Sequence, residues 1–170
     1  MPEPIIRAKQ LAYVRVEATD RAKAEKFLKE FGLQIVERTK DRTYLRGTDA
    51  QAPCYILSQG SGSVTTIAFE ADSLEDLRKL AALPYVSDIE TLDEPSGGQV
   101  VRLTDPLGMT VEIVHGRQSL AAMDAAPSHA FNMDGRRERV GELPAVSYGP
   151  SHVRRLGHLV LESADPPLLY

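Results

Sequence analysis

Alternating apolar and polar residues give three short segments of the chain the same opening pattern. Residues 13–18 (YVRVEA), 66–71 (TIAFEA) and 158–163 (HLVLES) each place apolar side chains at their second and fourth positions and Glu at the fifth. A period of two predicts a strand with one buried face. Asp or Ser residues suited to capping a helix follow every copy. The pattern therefore predicts an internal repeat whose unit opens with a strand and turns into a helix.

The two faces of these strands carry different side chains. Val14 and Val16 lie on one face, which we expect to pack against the following helix, as do their counterparts in the other copies. Tyr13, Thr66 and His158 are equivalent positions on the opposite face. Of these three, His158 alone has a side chain that readily binds a metal.

The first unit reads as strand, helix and three further strands. Asp20 or Thr19 is placed to cap the helix, and Gly32 to end it. The apolar stripe of this helix is predicted at helical spacing, by Ala24, Phe27, Leu28 and Phe31. The strands are predicted at residues 10–18, 33–39, 43–47 and 53–58.

The second unit repeats that order. A strand at 64–71 precedes a helix that Ser73 caps and Pro84 stops, with Asp76 at the third helical position as in a capping box. Further strands are predicted at residues 89–92, 99–104 and 109–115. Residues 45–49 (LRGTD) also align with 101–105 (VRLTD), which gives the two units a second point of register. The order of elements predicts an α+β fold of paired modules.

The composition changes after the second unit. Residues 119–153 are rich in Pro and Gly without sustained periodicity, so we interpret them as a linker, with a short helix around 120–125. Residues 154–170 open a third repeat and stop before completing it. We therefore predict a paired-module domain at 1–118, a linker at 119–153 and the start of a second domain at 154–170.

Charge and cysteine content exclude several classes of function. The net charge of −4 gives no electrostatic footprint for nucleic acid. The single cysteine, Cys54, cannot form an internal disulfide and is interpreted as a core residue. Neither a signal peptide nor a run of transmembrane length is visible, which favours a cytoplasmic protein without membrane contact.

Four segments together resemble the vicinal oxygen chelate superfamily, which includes glyoxalase I, bleomycin-resistance proteins and type I extradiol ring-cleaving dioxygenases. They read LAYVRVEATD, TTIAFEADS, VVRLTDPLGMTVEIVHG and RRLGHLVLES. The resemblance implies a bowl-like mixed sheet with helices outside. The order of paired module, linker and LGHLVLES is most similar to the N-terminal domain of an extradiol dioxygenase, followed by the first strand of a second, catalytic domain.

The resemblance also implies a metal site. In the dioxygenases the N-terminal paired module carries no metal, and the C-terminal one holds Fe(II) through two His and one Glu. The first His lies on the opening strand, which makes His158 the implied ligand here, with the other two beyond Tyr170. No iron is expected on residues 1–118, because Tyr13 and Thr66 stand where metal-binding modules carry His, Gln or Glu.

A carboxylate, Glu112, does occupy the last strand of the second unit, where family members often place one. We interpret it as a hydrogen-bonded carboxylate inside the bowl that pairs with Arg15 or Arg102, because a buried charge needs a partner. A single carboxylate cannot form a facial triad. The 170 residues are assigned no catalytic and no cofactor-binding residue other than the metal ligand His158.

Three functions remain open from the sequence. The first is an Fe(II)-dependent extradiol dioxygenase of aromatic catabolism that acts on a small aromatic diol and O2 as a homo-oligomer, with this chain inactive by itself. The second is a metal-free protein of the bleomycin-resistance type that binds a small ligand in its concave face. The third is a glyoxalase-like isomerase with a metal shared between subunits.

Overall fold

The computed structural model describes residues 4–124 and 151–160 of the chain. Its strands and helices alternate in two modules of identical order. Module 1 comprises β1 (Ala8–Ala18), α1 (Arg21–Phe31), β2 (Gln34–Arg38), β3 (Arg42–Arg46) and β4 (Tyr55–Gln59). Module 2 comprises β5 (Val64–Ala71), α2 (Leu74–Ala81), β6 (Glu90–Thr91), β7 (Gln99–Thr104) and β8 (Thr110–His115). The predicted α+β fold and its order of elements are confirmed.

All eight strands form one mixed sheet in the order β2-β3-β4-β1-β5-β8-β7-β6. Each module pairs its first strand with its last in parallel, β1 with β4 and β5 with β8. The two modules join where β1 and β5 run antiparallel, with Arg15 opposite Thr66. The first strands of both modules therefore lie at the centre of the sheet.

Apolar side chains fill both sides of the sheet. Outside module 1, Leu28 of α1 packs with Leu33, Leu45 and Leu57. Outside module 2, two leucines of α2 pack with Phe69, Val101 and Ile113. On the inner face, a third cluster joins the two modules; it contains Ala12, Tyr13, Tyr44, Ile56, Ala68, Leu92, Val100 and Val114. The helices thus lie outside the bowl, as predicted.

The helix caps follow the predictions, whereas the stripe of α1 does not. The Asp20 side chain accepts from the Lys23 N–H, and Ser73 and Asp76 exchange hydrogen bonds at the start of α2. Phe27 and Phe31, predicted to be buried with Leu28, are 61% and 53% exposed and stack on each other instead. They lie one turn apart on the flank of α1. The strip of α1 that contacts the sheet is therefore narrower than the apolar stripe predicted from the sequence. Neither helix in the described part of the chain is long and apolar enough to cross a membrane.

Residues 48–51 lie in the connection between β3 and β4. They bind two distant segments through backbone hydrogen bonds. On one side, the Met123 N–H donates to Thr48 O (2.8 Å) and the Leu120 N–H donates to Gln51 O (3.2 Å). On the other side, the Thr48 N–H donates to Val153 O (2.9 Å) and the Asp49 N–H to Arg154 O (3.1 Å). Residues at both flanks of the predicted linker are therefore held on module 1.

The strand predicted at 154–163 is not formed over residues 154–160, and residues 161–163 lie outside the described residues. The helix predicted near 120–125 is likewise absent from 120–124, with Ala125 undescribed. A strand needs a neighbouring strand to pair its backbone groups. Here, the carbonyls of Val153 and Arg154 bind the 48–49 turn instead, so the segment docks without joining the sheet.

Two glycines allow this docking. A Cβ on Gly47 would lie 2.1 Å from Arg154 O, and one on Gly32 would lie 1.8 Å from Ser151 O. We expect Gly47→Ala to displace residues 151–156 and to increase hydrogen exchange at the Thr48 and Asp49 amides by about tenfold or more. The measurement is residue-resolved exchange by NMR.

Gly157→Ala is the matched control, because a Cβ at Gly157 meets no atom within 4 Å. We expect it to leave the protection of both amides unchanged. Equal protection in the Gly47→Ala variant and the parent chain would contradict the docking contact.

Candidate functional site

A buried carboxylate lies at the centre of the inner face of the bowl. Glu112 on β8 is 3% exposed and accepts hydrogen bonds from three side chains. Tyr13 Oη donates to Oε2 at 2.5 Å, Arg15 donates to Oε2 through Nε (3.1 Å) and Nη2 (3.0 Å), and Arg102 Nε donates to Oε1 at 2.8 Å. The prediction that Glu112 pairs with Arg15 or Arg102 is confirmed, and it pairs with both.

Strand register explains why these side chains meet. Ala68 lies opposite Glu112 on the neighbouring strand, and β5 pairs with β1 on its other edge. Because Ala68 is small, it leaves room above β5 for Arg15 to reach across to Glu112. Arg102 is directly opposite Glu112 on β7. Both guanidinium groups thus approach the carboxylate from neighbouring strands.

Burial and ion pairing act in opposite directions on the Glu112 carboxyl. Desolvation favours the neutral acid, but the Arg15 charge and the hydrogen bonds from Tyr13, Arg102 and Arg15 outweigh it, so the pKa of Glu112 is below its ordinary value. Burial and the Glu112 charge raise the pKa of Tyr13 far above the usual phenol range. The phenol therefore stays protonated and serves as a donor.

The Tyr13 ring contacts two guanidinium groups. Arg15 Cζ lies 4.9 Å and Arg117 Cζ 4.6 Å from the ring centroid, within the range of a cation–π interaction. Arg117 also donates to the backbone oxygens of Pro53 (2.5 Å) and Ala12 (3.4 Å). Sequence analysis missed this role of Arg117, which links β1, the loop before β4 and the end of module 2.

A second carboxylate, Glu94, extends the cluster. It lies in the turn between β6 and β7, and its Oε1 accepts from Nη1 of Arg15 and from Nη1 of Arg42 at 3.0 Å. The sequence pattern assigned Glu94 no role. Gly97 and Gly98 of the same turn both adopt positive φ.

The inner face does not fit a divalent metal. Tyr13 and Thr66 provide no nitrogen ligand, and Glu112 already accepts from Tyr13 and two guanidinium groups. A divalent cation at Glu112 would be repelled by the Arg15 and Arg102 guanidinium groups, which already lie within hydrogen-bonding distance of the carboxylate. Across residues 4–124 and 151–160, no group of three His, Cys, Asp or Glu side chains is placed to hold a metal.

His158, the predicted Fe(II) ligand, is exposed in the docked segment 151–160 and lies on no strand. It is not brought together with Tyr13 or Thr66, its equivalents in the repeat. Its role as a ligand stays a prediction. Cys54 is buried, and burial raises the pKa of its thiol, as expected for a core residue.

No protein-family model matches the chain, and no curated protein does. Solved structures do match. A Mn(II)-bound glyoxalase from Novosphingobium aromaticivorans has a TM-score of 0.64 at 23% identity over 71% of this chain and 43% of its own. Homoprotocatechuate 2,3-dioxygenase from Brevibacterium fuscum, in complex with 3,4-dihydroxyphenylacetate, has a TM-score of 0.58 at 23% identity over 71% and 41%.

The 2,3-dioxygenase LapB from Pseudomonas sp. KL28 gives a TM-score of 0.59 at 18% identity over 69% of this chain and 44% of its own. The chain therefore spans about two fifths of the length of these proteins: it covers 43%, 41% and 44% of them, respectively. At such identities the likeness concerns the fold.

We expect Arg15→Leu to destabilise the domain by about 3 kcal/mol or more, because it removes a charged partner from two buried carboxylates at once, Glu112 and Glu94. The measurement is the free energy of unfolding by urea. Arg78→Gln breaks the exposed pair with Glu75 and should change that free energy by less than about 0.5 kcal/mol. Equal effects of the two substitutions would contradict a central role for the buried cluster.

The lowered pKa of Glu112 predicts acid sensitivity. Folding favours the ionised form of Glu112. Its contribution to the free energy of unfolding is therefore present above the pKa that the carboxyl has in the unfolded chain, and it is lost as pH falls through the pKa in the folded chain. Between about pH 5 and 3, the free energy of unfolding should fall less steeply for Glu112→Gln than for the parent chain. Glu75→Gln, at an exposed carboxylate, should keep the parental slope, and an unchanged slope in Glu112→Gln would refute the assignment.

TM-scores of 0.64, 0.58 and 0.59 indicate that the matched structures and this chain share a fold. The resemblance seen in the sequence is thereby confirmed at the level of fold: the chain shares the fold of the matched glyoxalase and 2,3-dioxygenases.

Proposed function

We propose that the chain is the N-terminal part of an Fe(II)-dependent extradiol dioxygenase that cleaves catechol-type aromatic diols with O2. The observation that carries the proposal is the inner face of the bowl, where Arg15 and Arg102 engage the carboxylate on β8 that a metal would otherwise need. A metal-free paired module followed by residues 154–163 (RRLGHLVLES) is the arrangement that such enzymes place before their catalytic domain. Two of the matched structures are dioxygenases.

In this proposal, residues 1–118 are a structural domain, and His158 contributes one ligand to Fe(II) in the domain that follows. When bound, the iron supplies the site at which a catecholate and O2 meet. Imidazole suits iron, and a facial arrangement of two His and one carboxylate leaves positions open for both reactants. The complex of one matched dioxygenase with 3,4-dihydroxyphenylacetate supports an aromatic diol as the class of substrate. We place the enzyme in the cytoplasm as a homo-oligomer.

The docked segment 151–160 gives residues 1–118 a second role in the proposal. The Thr48 and Asp49 amides hold the backbone only four residues before His158. The paired module would therefore set the position at which the catalytic domain begins. This role explains how a domain without a metal contributes to an enzyme.

The metal-dependent isomerase is less favoured. Its metal would have to be held on the inner face, where the donors around Glu112 do not fit one. The metal-free binding protein is favoured by a different observation, a polar cavity beside Glu94.

The test is the product of the natural gene, isolated with whatever sequence follows Tyr170 and loaded anaerobically with Fe(II). We expect it to retain iron and, on admission of air, to convert catechols to yellow ring-opened products. His158→Ala should lower both iron retention and turnover by about 100-fold. The 170-residue chain alone should produce no yellow product.

His152→Ala is the matched control, since His152 is an exposed histidine of the same docked segment. It should leave iron content and turnover unchanged. Full iron content and turnover in the His158→Ala protein would refute the ligand assignment, and ring cleavage by the 170-residue chain would refute the assignment of residues 1–118 as metal-free.

A further inference from the structure

Two cavities adjoin beyond the C-terminal ends of β5 and β8. The larger measures about 250 Å³ and the smaller about 100 Å³. Gln10, Glu70 and Arg117 line both cavities, so the two spaces share a wall. Arg155 of the docked segment borders the smaller cavity, whereas Glu112 lines neither of them. The cavities therefore lie between the sheet and the segment that docks on it, apart from the buried carboxylate.

Arg117 is a half-buried cation without a carboxylate partner. Its Nε donates to the Ser96 hydroxyl, and its Nη1 and Nη2 donate to the backbone oxygens of Ala12 and Pro53. No Asp or Glu in the described ranges 4–124 and 151–160 forms an ion pair with it. Burial lowers the pKa of Arg117 below its ordinary value, as expected for a charge that has lost water without gaining a counter-ion. Each terminal nitrogen keeps a second N–H for which those ranges provide no acceptor.

Glu70 carries the opposite charge on the shared wall. Its Oε2 accepts from Gln10 Nε2 at 2.7 Å, and no Lys or Arg in the described part of the chain forms an ion pair with it. The Glu70 charge opposes the lowering of the Arg117 pKa, so the two groups attract each other. No carboxylate oxygen of Glu70 lies within 4.0 Å of a guanidinium nitrogen of Arg117, however. A gap between two opposite charges therefore remains at the cavities.

The other charged residues that border the cavities are either paired or exposed. Asp49 pairs with Arg154 at 3.0 Å. Lys9, Asp72 and Arg155 are exposed, so water solvates their charges. Among the described residues of these walls, the half-buried charges without an ion-pair partner are therefore one cation and one anion.

We propose that the adjoining cavities bind a small α-amino acid in its zwitterionic form. Its carboxylate accepts the second N–H groups of Arg117, and its ammonium group donates to Glu70. A single ligand then satisfies both charges, through charge-assisted hydrogen bonds in a partly desolvated site. Ala50 and Ala52 line both cavities, and their small side chains leave the space that the ligand fills.

A ligand with one charge fits this geometry less well. An anion bound at Arg117 would face the Glu70 carboxylate, and a cation bound at Glu70 would face the Arg117 guanidinium. The inference goes beyond the dioxygenase proposal, since it involves neither iron nor His158. Either proposal can fail without the other.

The test is a titration of the isotopically labelled 170-residue chain with glycine, followed by NMR. We expect saturable shifts at the Gln51, Glu70 and Arg117 amides, with a dissociation constant in the range of about 1–10 mM. Acetate and methylammonium each carry one of the two charged groups of glycine. Both should bind at least about tenfold more weakly, because each leaves one protein charge without a partner and places a like charge beside it.

Arg117→Gln and Glu70→Gln should each weaken glycine binding by about tenfold or more, because each removes one charged partner of the ligand. Glu75→Gln, at an exposed carboxylate of α2, should leave the affinity unchanged. If Arg117→Gln fails to fold, Glu70→Gln still tests the site, because the half-buried Glu70 side chain accepts only from the exposed Gln10.

Three outcomes would overturn the proposal. The first is the absence of a saturable shift by about 100 mM glycine. The second is binding of acetate or methylammonium as tight as that of glycine. The third is parental affinity for glycine in a folded Arg117→Gln or Glu70→Gln chain.

Discussion

The burial of Glu112 is the constraint on which the inner face of the bowl depends. A carboxylate taken out of water is stable only with charged or hydrogen-bonding partners. Its partners come from two different strands: Tyr13 and Arg15 from β1, and Arg102 from β7. Because β1 belongs to module 1 while β7 and β8 belong to module 2, the ion pairs fasten the modules together across the β1–β5 junction.

The two modules share a backbone pattern and differ at the positions that form the buried Arg15–Glu112 ion pair. Arg15 lies opposite Ile56 on β4, and Ala68 lies opposite Glu112 on β8. Where module 1 has a charged residue on its first strand, module 2 has Ala68, and where module 2 has a charged residue on its last strand, module 1 has Ile56. Each module therefore supplies one half of the Arg15–Glu112 pair, and neither repeat could form it alone. The bowl therefore contains an ion pair that two identical copies of one module could not form.

Sequence periodicity predicted the modules because local rules fix them: alternation in strands, Asp20 and Ser73 as caps, and Gly32 at a helix end. The pairing of Glu112 was predictable from the cost of an unpaired charge. The exposed pair Phe27 and Phe31 was not, since helical spacing does not reveal how wide a strip of α1 touches the sheet. Glu94 and Arg117 were missed for a related reason. Both act across long sequence separations, and a turn residue shows no periodicity that would place it inside the bowl.

The turn at residues 48–51 bears on the chain's tolerance to changes of length. Met123 and Val153 bind the two edges of a single residue, Thr48, through its carbonyl and its amide. Their separation is therefore fixed by the distance between the amide and the carbonyl of Thr48, whatever the number of residues between them. Joining two fixed points with a longer segment costs only a logarithmic loss of chain entropy, about 0.6 kcal/mol for each doubling. Insertions and deletions between the anchors should thus accumulate readily in related proteins, while the point at which the chain returns to the domain stays constant.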